Sequence, residues 1–320
     1  RKLYLTFSLS YIATVILIHT VHTRKKNRFN FSERGRKKKK HKKKIKNIKI
    51  LKNTTVTTYN YSNHLTAIED RSVGVEPDNK KPELVLHKIR TENTILANGH
   101  IERFLSFRNN DLPGVMLAAS FEKYIERYGV VPEESPIIFT NNSSTFSLVK
   151  SLVDLGHKPK AYIDVRDQKK IEKETLDLLT KHGIPLYAKS EIEGCDGKNE
   201  VQKVSVRVKK DKIIKIKTSM LCVSGGFNPD IHLFTQSKGL LKWDKDLLTF
   251  KPDKIFQNTI TLGSVSGNFS YENVLKEVNQ KLNFLEGIND LEVKLDIDGP
   301  SDFQIKELWE TKNLKKFKEY

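Results

Sequence analysis

The sequence predicts an α/β fold organised around a parallel sheet, and three observations carry that expectation. Apolar strand-like runs alternate with helical patterns between Pro136 and Gly225. Glycines stand at the ends of several of those runs, and the flanking segments are rich in short β-type stretches.

The elements follow in order. PIIFT (136–140) is a compact apolar strand, and TNNSS after it supplies Asn and Ser caps for a helix that runs to about Leu155 and stops at Gly156. KAYID (160–164) is a second strand, Lys169 to His182 a second helix closed by Gly183, and Ile184 to Ala188 a third strand. Together they form one mononucleotide-binding unit. VQKVSVRVKK and KIIKIKTS, turning at Asp211 and Lys212, read as a β-hairpin lying across the sheet, and MLCVSGG returns as an apolar strand. Upstream, IKNIKILKNTTVTTYNY and LVLHKIRTENTILANG read as strands, and PGVMLAASFEKYIERYG as an amphipathic helix between Pro113 and Gly129. Downstream, ITLGSVSGNFSYENVLKEV reads as strand, glycine turn and helix. From about Lys281 to Tyr320 the chain is charged and helical in propensity, and it reads as cut at that end.

Charge is unevenly placed. The 320 residues carry a formal +18, yet residues 24–52 alone hold 16 Lys or Arg against the single acid Glu33, and the body beyond is near neutral. A near-neutral body lacks the phosphate-neutralising excess of a nucleic-acid binder, so that partner class is excluded. Residues 19–46 are expected to be a disordered basic arm, since like charges at that density repel. The chain opens on Arg1 rather than Met, which suggests a reading frame that begins further upstream. Residues 3–18 form an apolar run of about the length of a signal core or short membrane span. Two readings of it stay open: an anchor with its basic flank inside, or translated sequence foreign to the body. Cys195 and Cys222 make no CxxC, and no histidine stands at metal-ligand spacing, so neither a dithiol centre nor a metal site is expected.

Glycines at strand ends are the candidate binding positions, because ligands of open parallel sheets lie beyond the carboxyl ends of the strands. Three such places occur: Leu96–Gly99, Ser224–Pro229 and Leu262–Gly267. The turn Thr140–Ser144 sits where a dinucleotide fold carries its glycine fingerprint but has no glycine, so Asn141, Asn142 and Ser143 read as helix caps. Asp164 ends the second strand, where an acid holds ribose in an intact fold. No catalytic residue is assigned: Ser143 and Ser144 lack the glycines of a nucleophile elbow, and His232 reads as a surface or packing histidine.

Four blocks together carry a resemblance. YNYSNHLTAIEDR (59–71), LANGHIERFLSFRNNDLPGVMLAAS (96–120), PIIFTNNSS and VSGGFNPDIHLFTQSKGLLKWD (223–244) are similar in order and spacing to the alpha subunit of heterotetrameric sarcosine oxidase, over about residues 47–312. The resemblance implies an FAD/NAD(P)-binding fold, incomplete here. Its first dinucleotide-binding domain would comprise 47–135 and 225–280, with a nested Rossmann-like domain at 136–224 and a linker at 281–320 toward a folate-binding domain. It implies NAD in the alpha subunit, FAD and FMN in the whole complex, tetrahydrofolate as co-substrate, and beta, gamma and delta subunits as partners in the cytoplasm. The reaction implied is oxidative demethylation of sarcosine to glycine, hydrogen peroxide and a one-carbon unit.

The cofactor-lining positions carried over are Ala97, Asn98 and Gly99 of an ATG-like turn, the late turn at Gly263, Ser264 and Gly267, and the family turn at Gly225 and Gly226. Three departures are visible. Asn98 replaces the usual Thr, HIERF replaces AHERP so that only Glu102 and Arg103 align, and the region before residue 47 carries no glycine-rich fingerprint. They imply no turnover by this polypeptide alone and weak dinucleotide binding. Competing readings are a stand-alone or opine-oxidase-like FAD/NAD(P)-dependent oxidoreductase, and a non-enzymatic, membrane-tethered nucleotide-fold protein.

Overall fold

The computed structural model describes residues 2–7, 13–18, 51–72, 82–131, 133–208, 212–282, 303–309 and 311. The expected disordered arm and most of the expected 281–320 linker lie outside them. The chain divides into two compact units: Arg1–His100, Pro229–Asp244 and Phe250–Lys294 form the first, and Ile101–Asn228, Lys245–Thr249 and Leu295–Tyr320 the second. The second unit begins at Ile101 and takes in residues 303–309.

In the first unit, β1 (Lys2–Phe7) and β2 (Ala13–Ile18) pair antiparallel. The apolar run expected as a signal core or span is thus two strands. Among the described residues no helix is long and apolar enough to cross a membrane. β3 (Thr54–Asn60), β4 (His64–Asp70) and β5 (Leu84–Arg90) form an antiparallel sheet of three. Alternation along β4, and along β3 with a register shift between Val56 and Thr58, turns Val56, Tyr59, Leu65 and Ala67 inward, where they pack with Leu96, Leu233 and Phe234. The next strand, β6 (Asn93–Leu96), pairs parallel with β2.

β7 (His100–Glu102) leads into the second unit. There β8 (Val115–Leu117) precedes α1 (Ala118–Lys123), which continues as a π-helical turn over Tyr124–Tyr128 and ends on Gly129 at φ 66°. The helix expected from Pro113 thus starts later, because Val115–Leu117 pairs parallel with another strand of the sheet. β9 (Ile137–Thr140), α2 (Phe146–Asp154), β10 (Ala161–Asp164), α3 (Lys173–Lys181) and β11 (Leu186–Ala188) follow as the expected strand–helix series. β12 (Glu191–Asp196), β13 (Lys203–Arg207) and β14 (Ile213–Lys217) form an antiparallel meander of three strands where a hairpin of two was expected. β15 (Leu221–Ser224) then completes a parallel sheet of order β11-β10-β9-β15-β8.

Every residue of β9, β10 and β15 is buried, and successive side chains enter different cores. Ile137, Phe139, Ala161, Ile163, Leu221 and Val223 pack with the meander. Ile138, Tyr162 and Cys222 pack with α1, α2 and α3 through Phe121, Leu148, Leu152 and Leu179. The sheet is a middle layer with helices on one face and the meander on the other. This Rossmann-like α/β arrangement leaves the carboxyl ends of β9, β10 and β15 side by side.

β16 (Phe227–Pro229) leads back to the first unit, which adds α4 (His232–Gln236), β17 (Leu240–Asp244), β18 (Thr249–Lys254), β19 (Thr259–Thr261) and α5 (Tyr271–Leu282). β19 pairs parallel with β6, giving the sheet order β1-β2-β6-β19.

Candidate functional site

In the first unit, two of the three glycine turns leave the carboxyl ends of neighbouring parallel strands. β6 runs into Ala97, Asn98 and Gly99, and β19 runs through Leu262 into a 3-10 turn over Gly263–Ser266 closed by Gly267. Leu262 donates its N–H to the carbonyl of Leu96 at 2.9 Å, which carries the strand pairing up to the mouth of both turns. Gly99 has φ +94° with no atom within 4 Å of where a Cβ would stand. It therefore serves backbone conformation and open space rather than packing. Ala97 packs beside Ile95 and Leu262.

The polar groups of these turns are largely committed. Asn98 Nδ2 donates to the carbonyl of Asp230, and the N–H of Asp230 donates to the carbonyl of Gly99 at 3.0 Å. Asn98 Oδ1 is buried and receives no hydrogen bond among the described residues. Glu277, 6% exposed on α5, accepts the N–H of Gly263 at 2.8 Å and Nδ2 of Asn268 at 2.8 Å, and its other oxygen accepts Lys281 Nζ at 2.6 Å. Gly267, at φ +90°, donates to the carbonyl of Ser264 at 3.1 Å.

In the second unit the third glycine pair is filled by protein. Gly225 donates to the carbonyl of Arg103 at 2.8 Å, and Arg103 donates to the carbonyl of Gly226 at 2.7 Å. A Cβ on Gly226 would stand 2.5 Å from Ile305 Cδ1 and 2.6 Å from Arg103 Nη2. The pair thus permits a close backbone approach within the chain. Arg103 itself is 7% exposed; it donates to the carbonyls of Leu247 and Leu248 and lies 4.9 Å from the ring centre of Trp309. Burial pulls its guanidinium down to about 10.

Residues 303–309 lie on the glycine-free turn after β9. The N–H of Ser143 donates to the carbonyl of Gln304 at 3.1 Å, Lys306 donates to the carbonyl of Asn141 at 2.9 Å, and Asn141 Nδ2 returns to the carbonyl of Lys306 at 2.7 Å. Asn142 Nδ2 donates to the carbonyl of Ser224 at 3.1 Å. The three residues expected as helix caps therefore tie the turn to β15 and to this strap, and α2 begins at Phe146 with no side-chain cap.

Asp164, at the strand end where an acid holds ribose in an intact fold, is fully buried and bound to Arg166 at 2.9 Å, which also meets Glu172 at 2.8 Å. On β7, Glu102 Oε2 accepts the N–H of Ala119 at 2.8 Å, and burial pushes this carboxyl and that of Glu122 up to about 7. His232 is exposed at the start of α4.

Sequence reasoning passed over Asp230, Glu277 and the strap. Asp230 stands in the SGGFNPD block, but its role is played by main-chain atoms. Glu277 had a readable signal, being an acid on an apolar-periodic helix directly after a glycine turn.

The residues of the first unit are compatible with a nucleotide: the space above Gly99 is open, and Asn98 Oδ1 is a buried acceptor with no donor among the described residues. The second unit does not fit one at its corresponding turn, which its own residues 304–306 cover.

No family model matches the chain. Among curated proteins it is 31% identical over 224 residues to "Sarcosine oxidase subunit alpha" of Corynebacterium sp. (strain U-96), covering 67% of this chain and 23% of that protein. It is 31% identical over 183 residues to the protein of the same name from Rhizobium meliloti (strain 1021), covering 55% of this chain and 17% of that one. This chain therefore spans about a quarter or less of these relatives. Among solved structures, L-proline dehydrogenase from P. horikoshii superposes with a TM-score of 0.52 at 20% identity, over 78% of this chain and 43% of that one, a likeness of fold. The resemblance carried by the NDLPGVML and SGGFNPDIHLFTQ blocks is thus borne out: this chain is similar to the alpha subunits of sarcosine oxidase, and its fold is α/β with a Rossmann-like second unit.

Proposed function

We propose that this chain is part of an oxidoreductase subunit of the sarcosine oxidase alpha type, and that it contributes a dinucleotide-binding scaffold to the oxidative demethylation of sarcosine. The observation that carries the reading is the pair of glycine turns, 97–99 and 263–267, on adjacent parallel strands within a chain similar to those subunits. NAD is the ligand proposed for these turns; when bound, a nicotinamide dinucleotide supplies hydride exchange. Gly99 admits the ligand's approach, Asn98 offers it a hydrogen-bond acceptor, and Glu277 holds the Gly263 turn in shape. The amine chemistry, at FAD and FMN, belongs in this proposal to the complex with beta, gamma and delta subunits in the cytoplasm. There glycine and hydrogen peroxide are released and tetrahydrofolate captures the one-carbon unit. Equilibrium dialysis of the purified chain against labelled NAD, with and without the partner subunits of a Corynebacterium enzyme, tests the reading. Label retained by the chain or by its complex is expected; label retained by neither overturns the proposal.

A further inference from the structure

The donor and acceptor pattern at the two turns narrows what they can hold. Asp230 presents a carbonyl oxygen to Asn98, and a carbonyl oxygen only accepts, so the amide nitrogen of Asn98 must face it. Oδ1 is thereby fixed on the other side as an acceptor, buried and without a donor among the described residues. A buried acceptor left unsatisfied costs free energy that a donor would recover. The diester pyrophosphate of a dinucleotide carries no proton at neutral pH and so brings no such donor.

The second turn excludes phosphate by a different route. Backbone N–H groups at glycine turns are what ordinarily cradle phosphate. Here the N–H of Gly263 is already taken at 2.8 Å by the Glu277 carboxylate, which also draws in Asn268 Nδ2. An internal carboxylate, itself paired with Lys281 Nζ at 2.6 Å, already occupies the Gly263 N–H where an external anion would be received.

Resting on the proposed dinucleotide function, we infer that Asn98 is a specificity-determining residue: these turns take the nucleoside part of the ligand, with a hydroxyl or amine donated to Asn98 Oδ1, and not its phosphates. Adenosine and nicotinamide riboside share that chemistry, and the test separates them.

Ligand-observed NMR on the full chain measures binding of adenosine, nicotinamide riboside, NAD and inorganic pyrophosphate. At least one nucleoside is expected to bind and pyrophosphate to leave its site free. In the unaltered protein, 2′,3′-dideoxyadenosine and purine riboside, or the deoxy analogues of nicotinamide riboside if that is the nucleoside bound, remove the ligand's donors in turn. Loss of the relevant donor is expected to weaken binding about tenfold. N98L should weaken the nucleoside by a similar factor, while N98T, which keeps a hydroxyl acceptor, should retain most of it. The inference is overturned if pyrophosphate competes as well as the nucleoside, or if no donor deletion weakens binding. NAD bound equally well by N98L overturns it and leaves the proposed function standing; no binding of any nucleoside or of NAD by the chain overturns the inference, and the proposed function falls with it if the complex with partner subunits retains no NAD either. The analogue series decides the question even if N98L fails to fold.

Discussion

Glu277 holds the N–H of Gly263 at 2.8 Å from a helix that begins eight residues after that glycine, so the turn after β19 is fixed by a carboxylate of its own unit. Gly263 stands at φ +77°, and its N–H would otherwise be an unpaired donor at the end of a parallel strand. Substituting E277Q should keep one acceptor for Gly263 but lose the charge shared with Lys281, at a cost of about 1–2 kcal/mol. Chemical denaturation measures it. No loss would show the contact to be incidental.

Two glycines, both at left-handed φ, predict costs of different size. At Gly99 an added Cβ meets nothing, so G99A should cost only the strain of a left-handed alanine, about 1 kcal/mol. At Gly226 the same atom would strike Ile305 and Arg103, so G226A should cost more, about 2–3 kcal/mol. Denaturation midpoints of the two variants, compared side by side, check the order.

Burial raises Glu102 and Glu122 from 4.5 to about 7, so the folded state holds their protons more tightly than the unfolded chain. The sign follows: the unfolded chain releases these protons first, and stability falls as pH rises from about 4.5 to about 7. E122Q removes one ionisable group. It should be more stable than the parent at pH 8 by about 1–3 kcal/mol and equal to it near pH 4. A flat difference across that range would contradict the assignment.

Asp164, Arg166 and Glu172 form a buried ionic cluster. D164A leaves the guanidinium without one of its two buried carboxylates and should destabilise by about 3–5 kcal/mol. If Asp164 instead served a ribose, the variant would fold normally and lose only ligand affinity.

Burial pushes the Cys195 thiol up to about 12 and raises Cys222 as well. Neither should react with a thiol reagent in the folded protein, and both should react on unfolding. Labelling followed by mass spectrometry reads this directly.

Much of the parallel sheet was legible in sequence, because PIIFT, KAYID and MLCVS are unbroken apolar runs and strands buried on both faces must be so. β12 was not. EIEGCD mixes acids with apolar residues and contains Gly194, whose missing Cβ makes room for the side chain of Arg108, a tertiary reason invisible locally. β8 was hidden inside a helix-like pattern that continues without interruption into α1. Asn141, Asn142 and Ser143 have the composition of caps, but their partners are more than 80 or 160 positions away for the contacts that matter. Of the site, the strand-end glycines were readable and their pairing was not, since nothing in one strand states which neighbour it will have.

Hydrogen exchange of the full chain in saturating NAD tests the central claim most directly. Protection at residues 97–100 and 262–268, with residues 140–144 and 224–226 unchanged, is the result expected. Protection at 140–144 and 224–226 alone, or at neither set, would contradict it.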